Sequence, residues 1–166
     1  TDEMGKTTKF THDNYGRIIK VLDAMGCVSE SNYEDNGLLK KLILGTGNVS
    51  QSATYNYDQY RLIKSIILSG ERVYDFVYDD KNNLADILLN DTVLYQFEYD
   101  ELGNVIAEKY GLNSGKMLFE YNKFGNIVKV KYLAINSKTP QLKYQYEYDA
   151  LQLLTRVLDG KGNEIV

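Results

Sequence analysis

The stretch Tyr95–Gly111, YQFEYDELGNVIAEKYG, decides the fold because the chain repeats it with small changes. Altered copies begin at Tyr74 (YDFVYDDKNNLADILLN), at Met117 (MLFEYNKFGNIVKVKYL) and at Tyr144 (YQYEYDALQLLTRVLDG). Internal repetition of this kind identifies a chain assembled from one small structural unit. This repeat raises the question of whether its residues form a functional site or serve only to build the fold.

The centre of the phrase is the motif D-x-x-G-[NRK]-hydrophobic, which occurs in ten recognisable copies. The copies recur with a period of about 21 residues, and some half-steps are about 10 residues long, which indicates a two-strand unit with a turn at each end. The anchors are Asp2, Asp13, Asp23, Glu34, Asp58, Asp79, Asp100, Asn122, Asp149 and Asp159.

Turn chemistry explains the acidic residue and the glycine of the motif. An aspartate at the first position of a type I turn accepts bonds from backbone N–H groups just ahead of it, and the glycine supplies the left-handed conformation that follows. Asn82 can replace glycine there, whereas Arg61 and Gln152 predict distorted turns or turns of another type. The predicted structural turn residues are Asp13, Gly16, Asp58, Asp79, Asp100, Gly103, Gly125 and Asp149.

The residues around each turn alternate with a period of two. Tyr95, Phe97 and Tyr99 share one face of a strand, and Gln96 and Glu98 take the other. Such alternation is typical of half-buried antiparallel strands joined by hairpins. The sequence predicts an all-β antiparallel meander of about 12–14 short strands, curled into a porin-like barrel or a partial shell because an open sheet of that size is unusual.

Composition limits the class of protein. The 166 residues predict one domain, 1–166, and a net charge of −4 without basic clusters argues against nucleic acid as a partner. No apolar run is long enough for a transmembrane helix. Because the first residue is Thr1 rather than Met, the chain is expected to be a processed or excised piece of something longer.

No catalytic or metal site is predicted, and no cofactor is expected. The aspartates could form a ladder of carboxylates for metal or acid–base chemistry, but turn capping explains each of them. His12 is the single histidine and Cys27 the single cysteine, and neither has a recognisable partner. Fifteen tyrosines offer either cross-strand packing or a stacking platform for sugars, and Tyr60 and Tyr110 are the candidates for exposed contacts.

The phrase Y-x-[YF]-x-Y-D-x-x-G-N resembles the YD repeats of the Rhs family, which also occur in bacterial insecticidal toxin shells and in teneurins. The resemblance implies hairpins that wind into a hollow shell, which encloses a toxin or supports adhesion. This sequence contains neither a toxin domain nor a processing segment. The chain is also similar to small YD-rich bacterial envelope lipoproteins, whose hairpins curl into a porin-like barrel.

These observations predict a non-enzymatic scaffold, secreted or in the bacterial cell envelope, that binds or encloses an unknown protein or carbohydrate. Anchoring would be through a lipid on a removed N-terminal segment, and oligomers could form through edge strands. One alternative is a fragment of a larger Rhs-type toxin-encapsulating shell. The other is a carbohydrate-binding module that uses exposed tyrosines.

Overall fold

The computed structural model describes residues 7–45 and 49–166. Its secondary-structure elements are all β-strands. Fourteen strands form one sheet in which sequence neighbours are sheet neighbours, from β1 to β14. The predicted antiparallel meander is therefore confirmed. The barrel alternative is wrong over the described residues, because β1 and β14 are the two end strands of an open order. The copy of the motif at Asp2 lies outside the described residues.

The contacts divide the chain into two compact units, Thr1–Asp75 and Phe76–Val166. That both belong to one domain stays a prediction. The strands of the first unit are β1 (Lys9–His12), β2 (Ile18–Leu22), β3 (Val28–Tyr33), β4 (Leu39–Leu44), β5 (Gln51–Tyr57) and β6 (Ile63–Leu68), and β7 (Arg72–Tyr78) contains the boundary. Those of the second are β8 (Leu84–Leu89), β9 (Thr92–Tyr99), β10 (Val105–Tyr110), β11 (Lys116–Tyr121), β12 (Ile127–Leu133), β13 (Gln141–Tyr148) and β14 (Leu154–Asp159).

Turns of the D-x-x-G type join each odd-numbered strand to the next even-numbered one. In the second unit the turns at Asp100, Asn122 and Asp149 follow this rule, and shorter or irregular loops make the return connections. The turns at Asp23 and Asp159 are exceptions, because they follow even-numbered strands. After the Asp159 turn the last residues fold back beside β14, where the Ile165 N–H donates to the Val157 carbonyl and the Val157 N–H donates to the Val166 carbonyl, both at 2.8 Å.

Burial is shallow throughout the described part of the chain. Three residues are buried there, Ser65 at 8%, Ala107 at 2% and Val130 at 7% exposure, and most other strand residues are half-buried. Among the described residues of each unit, the contacts between strands are those of sheet neighbours. Hydrogen-bonded strand ladders and contacts along the sheet, rather than a thick apolar core, therefore hold each unit together.

Candidate functional site

The turn at Asp100 shows the geometry that the motif encodes. The Asp100 N–H donates to the Asn104 carbonyl at 3.0 Å, and the Gly103 N–H donates to the Asp100 carbonyl at 3.2 Å. One carboxylate oxygen, Oδ1, accepts from the N–H groups of Leu102 and Asn104 at 2.9 and 2.8 Å. Gly103 has a φ of 84°, the left-handed region that favours glycine. The carboxylate is thus engaged within its own turn.

The asparagine at the fifth position of the motif, directly after the glycine or after Asn82 in its place, has a role that sequence reasoning missed. The Asn104 side-chain amide donates to Oδ2 of Asp100 at 2.9 Å, and Asn83 and Asn163 do the same for Asp79 and Asp159. These side-chain bonds, followed by the backbone N–H bond from the same asparagine, hold the pKa of each aspartate below its ordinary value of 3.8. The frequent occurrence of asparagine directly after the glycine of the motif could have indicated this role.

The remaining turn residues occupy equivalent positions. The carboxylates of Asp13, Asp58 and Asp149 each accept backbone N–H bonds inside their turns. Gly16 and Gly125 have φ values of 79° and 84°. That these residues serve structure alone stays a prediction.

Acid is expected to weaken the fold through these turns. Since the folded-state pKa values of Asp79, Asp100 and Asp159 are lowered, their stabilisation is present above about pH 4 and is lost as the pH falls through the folded values. Urea unfolding between pH 7 and pH 2 should show a plateau and then a decline. Asn104→Ala should make that decline shallower, because it removes a donor to Asp100. A decline of unchanged steepness in the variant would contradict this origin.

The two turns that lack glycine or asparagine are regular, so the prediction that they are distorted is wrong. Arg61 and Gln152 take φ values of 67° and 65°, and their N–H groups donate to Asp58 and Asp149 at 3.1 and 3.0 Å. Both side chains also reach the preceding turn. The Arg61 guanidinium donates to the Asn36 carbonyl at 2.8 Å, and the Gln152 Oε1 accepts from Asn122 and Asn126 at 3.2 and 3.1 Å. These contacts offset the backbone cost of a non-glycine residue.

Substitution of Arg61 separates the effect of its left-handed backbone conformation from that of its side-chain bond to Asn36. We expect Arg61→Ala to be less stable than Arg61→Gly by about 1 kcal/mol, because both lose the bond to Asn36 but only glycine relieves the left-handed strain. Arg61→Gly itself should lie within about 0.5 kcal/mol of the parent, since an exposed hydrogen bond and backbone strain nearly cancel. Urea unfolding of the three proteins measures both differences. An alanine variant as stable as the glycine variant would exclude the strain.

In five hairpins the tyrosine just before the turn ties its hairpin to the preceding one. Its hydroxyl donates to the backbone carbonyl of the first residue of the preceding strand. The bonds are Tyr33 to Ile18 (3.1 Å), Tyr57 to Leu39 (2.8 Å), Tyr99 to Leu84 (2.8 Å), Tyr121 to Val105 (2.7 Å) and Tyr148 to Ile127 (2.8 Å). Burial raises the pKa of Tyr57, Tyr99 and Tyr121. We call these contacts the tyrosine bridges.

The alternating pattern gives the second unit two different faces. Register pairs define an aromatic face and a charged face. The aromatic face carries Ile87, Tyr95, Phe97, Tyr99, Glu108, Tyr110, Met117, Phe119, Tyr121, Val130, Tyr132, Tyr144, Tyr146 and Tyr148. The charged face carries Asp86, Gln96, Glu98, Lys109, Lys116, Glu120, Lys129, Lys131, Gln145, Glu147 and Arg156.

Charges on the charged face are largely paired across strands. Lys116 bonds to Glu98, which is two strands away, and Lys131 bonds to Glu120. A shallow cavity of about 270 Å³ lies here, lined by Asp86, Gln96 and neighbours above the small side chain of Ala107. Arg156 bridges Glu147 and Glu164 at 3.1 and 3.2 Å. Half-exposed pairs of this kind contribute about 0–1 kcal/mol each, so they favour a register more than they stabilise the fold.

The two tyrosines proposed for ligand contacts are both exposed. Tyr60 is 63% exposed at a turn tip in the first unit, and Tyr110 is 61% exposed at the end of β10 in the second. The Tyr110 ring lies 5.1 Å from that of Tyr95 at a tilt of 60°, so it belongs to a cluster, whereas no ring contact of Tyr60 is found among the described residues. Sugar binding by either residue stays a prediction.

The single histidine and cysteine lie in unremarkable surroundings. His12 ends β1 and is exposed, and Cys27 is a free, exposed thiol in the Asp23 turn.

Within residues 7–45 and 49–166, no helix has the length and apolar character needed to cross a bilayer.

Comparison with known proteins agrees with this architecture. The teneurin YD-shell family model matches residues 4–98, which is more than half of the chain. The crystal structure of TcdB2-TccC3-Cdc42 matches with a TM-score of 0.77 and 17% identity, over 96% of this chain and 9% of the other. That of TcdB2-TccC3-TEV matches with a TM-score of 0.64 and 12% identity, over 92% of this chain and 11% of the other.

The chain thus spans about a tenth of the length of the structures it matches, and at this identity they show a shared fold. No curated protein sequence matches it. The family match confirms the YD-repeat resemblance that the motif indicated. The chain belongs to the teneurin YD-shell family.

Proposed function

We propose that this chain is a length of wall in a YD-repeat shell, without enzymatic activity of its own, that encloses or surrounds another protein. The observation that carries the proposal is the tyrosine bridge, which links successive hairpins by the same bond at Tyr33, Tyr57, Tyr99, Tyr121 and Tyr148. A repeated nearest-neighbour link of this kind extends a sheet without limit, as a wall requires.

Shallow burial supports the same role. A sheet whose units have little core of their own suits a part of a larger repeat array better than a self-contained module. One matched structure combines TcdB2 and TccC3 with Cdc42, and by analogy of fold we propose that this wall also carries a protein partner. A secreted or cell-envelope location fits that role, and lipid anchoring stays a prediction.

Light scattering coupled to size exclusion tests the wall proposal on the 166-residue chain. We expect concentration-dependent association, because β1 is an end strand of the sheet over the described residues and carries the exposed Phe10. Phe10→Lys, which places a charge on that edge strand, should reduce association. Tyr15→Lys makes a similar change at an exposed turn and should leave it unchanged. A compact monomer at every concentration would contradict the wall and favour an independent module.

A second candidate function is carbohydrate binding, which the exposure of Tyr110 beside Tyr95 favours. Stacked sugars bind to solvent-facing aromatic rings of this kind. Screening against a glycan array tests this candidate, and it requires signals that Tyr110→Leu removes. Absence of binding to any glycan would remove the candidate and leave the wall proposal intact.

A further inference from the structure

Glu108 is an acidic residue in the middle of the aromatic face. It lies directly opposite Phe97 on β9 and Met117 on β11, and the next pair of residues along the face is Tyr110 and Tyr95. Period-two alternation would put a tyrosine, phenylalanine or aliphatic residue at this position, as it does at the neighbours. A carboxylate here interrupts an otherwise apolar row.

The Glu108 carboxylate has no partner within the described part of the chain. The acidic residues Glu98, Glu120 and Glu147 on the charged face are all paired with lysine or arginine. Glu108 is half-buried, and it makes no hydrogen bond or ion pair with any described residue. A half-buried charge among apolar groups is costly unless a group of opposite charge satisfies it.

The rings next to Glu108 form a surface that suits a cation. The Tyr95 and Phe97 rings are parallel within 8° with centroids 6.1 Å apart, and the Tyr110 ring tilts against Tyr95 at 5.1 Å. Aromatic faces attract ammonium and guanidinium groups through the ring quadrupole. The same face already binds one internal cation, because the Lys143 ammonium lies 5.5 Å from the Tyr132 ring centroid.

We propose that Tyr95, Phe97, Glu108 and Tyr110 form a cation-binding patch that holds an arginine or lysine side chain of a polypeptide partner. The carboxylate would accept hydrogen bonds from the cation while the rings contact its flat face. A guanidinium should bind better than an ammonium, because it is planar, stacks on rings and pairs with a carboxylate through two donors. The patch lies within one unit, so its binding does not depend on whether the chain forms a shell.

Fluorescence anisotropy with labelled hexa-arginine at about 150 mM salt, where long-range attraction to the net negative chain is screened, tests the patch. Glu108→Gln and Tyr110→Leu are each expected to weaken binding about threefold. Two controls make the same changes elsewhere. Glu101→Gln removes a charge from an exposed turn position, and Phe124→Leu removes an exposed ring at the opposite end of the strands. Both should bind as the parent does.

Hexalysine should bind more weakly than hexa-arginine, and hexaglutamate should not bind. Glu108→Gln preserves the shape of the side chain, and Tyr110→Leu provides a second variant at a different kind of contact. Equal weakening by Glu108→Gln and Glu101→Gln would show general charge attraction and overturn the patch. Failure of the parent chain to bind hexa-arginine at about 1 mM would overturn it as well.

Discussion

Removing three tyrosine bridges of the second unit together, with Tyr99→Phe, Tyr121→Phe and Tyr148→Phe, is expected to lower the free energy of unfolding by about 3 kcal/mol. Each substitution deletes one hydroxyl that donates to a carbonyl at 2.7–2.8 Å and leaves the ring in place. A hydrogen bond of this kind contributes about 1 kcal/mol net. The three bonds join different pairs of strands, so their effects should add approximately.

Two of the same three strands supply a matched control. Tyr95 lies on β9 with Tyr99, and Tyr144 and Tyr146 lie on β13 with Tyr148. The hydroxyls of these three residues make no hydrogen bond with any described residue. The triple variant Tyr95→Phe, Tyr144→Phe and Tyr146→Phe should therefore unfold within about 0.5 kcal/mol of the parent. Equal losses in the two triple variants, measured by urea unfolding, would refute the bridges.

The second large effect is expected at Gly115, where alanine should lower the free energy of unfolding by about 2–3 kcal/mol. A Cβ at this position would overlap the Leu133 carbonyl oxygen and would lie 2.6 Å from the tip of the Tyr132 ring. The carbonyl belongs to the backbone of β12 and cannot move away without disturbing the β11–β12 pairing. Forcing an extra methyl group into a closed space typically costs about 1–3 kcal/mol.

Gly111, in the same loop, is the comparison. A Cβ there meets no atom within 4 Å, but the residue has a φ of 67°. Gly111→Ala should therefore lose about 1 kcal/mol through backbone strain alone. Thermal or urea unfolding of both variants distinguishes steric overlap from strain. The account fails at this site if Gly115→Ala is no less stable than Gly111→Ala.

The repeat made the turns and strands predictable. Asp100 and Gly103 have the local chemistry of their turn within five residues, so no distant information was needed to place them. The alternation of Tyr95, Phe97 and Tyr99 likewise placed one face of a strand. The predicted number of about 12–14 strands followed from usual strand lengths, and the described residues form fourteen.

Contacts between hairpins were not predictable in the same way. The acceptor for Tyr99 is Leu84, fifteen residues earlier, whereas the acceptor for Tyr148 is Ile127, twenty-one residues earlier. The length of the loop between the two bonded strands changes the number of residues that separate the tyrosine from its acceptor. The acceptor can therefore be identified only once the pairing of the strands is known. The regular turns at Arg61 and Gln152 have the same explanation, because their compensating partners belong to the neighbouring turn.

The turn at Glu34 is capped by a different side chain, which the sequence motif did not reveal. At this turn the acceptor for the Leu38 N–H is Oδ1 of Asn36 at 3.0 Å, rather than the carboxylate of the first residue. The longer glutamate side chain bonds to the Asn36 amide instead. One turn can therefore keep its backbone bonds while it changes the side chain that caps it.

The central claim is that the tyrosine of the YD repeat builds the shell wall by tying a hairpin to the one before it, as at Tyr99, Tyr121 and Tyr148. Proton NMR of the 166-residue chain tests this most directly, because a hydroxyl proton held in a hydrogen bond exchanges slowly enough to be observed. We expect slowly exchanging hydroxyl signals for Tyr99, Tyr121 and Tyr148, with cross-peaks to Leu84, Val105 and Ile127, and no such signal for Tyr95. Rapid exchange at all four tyrosines, without those cross-peaks, would contradict the claim.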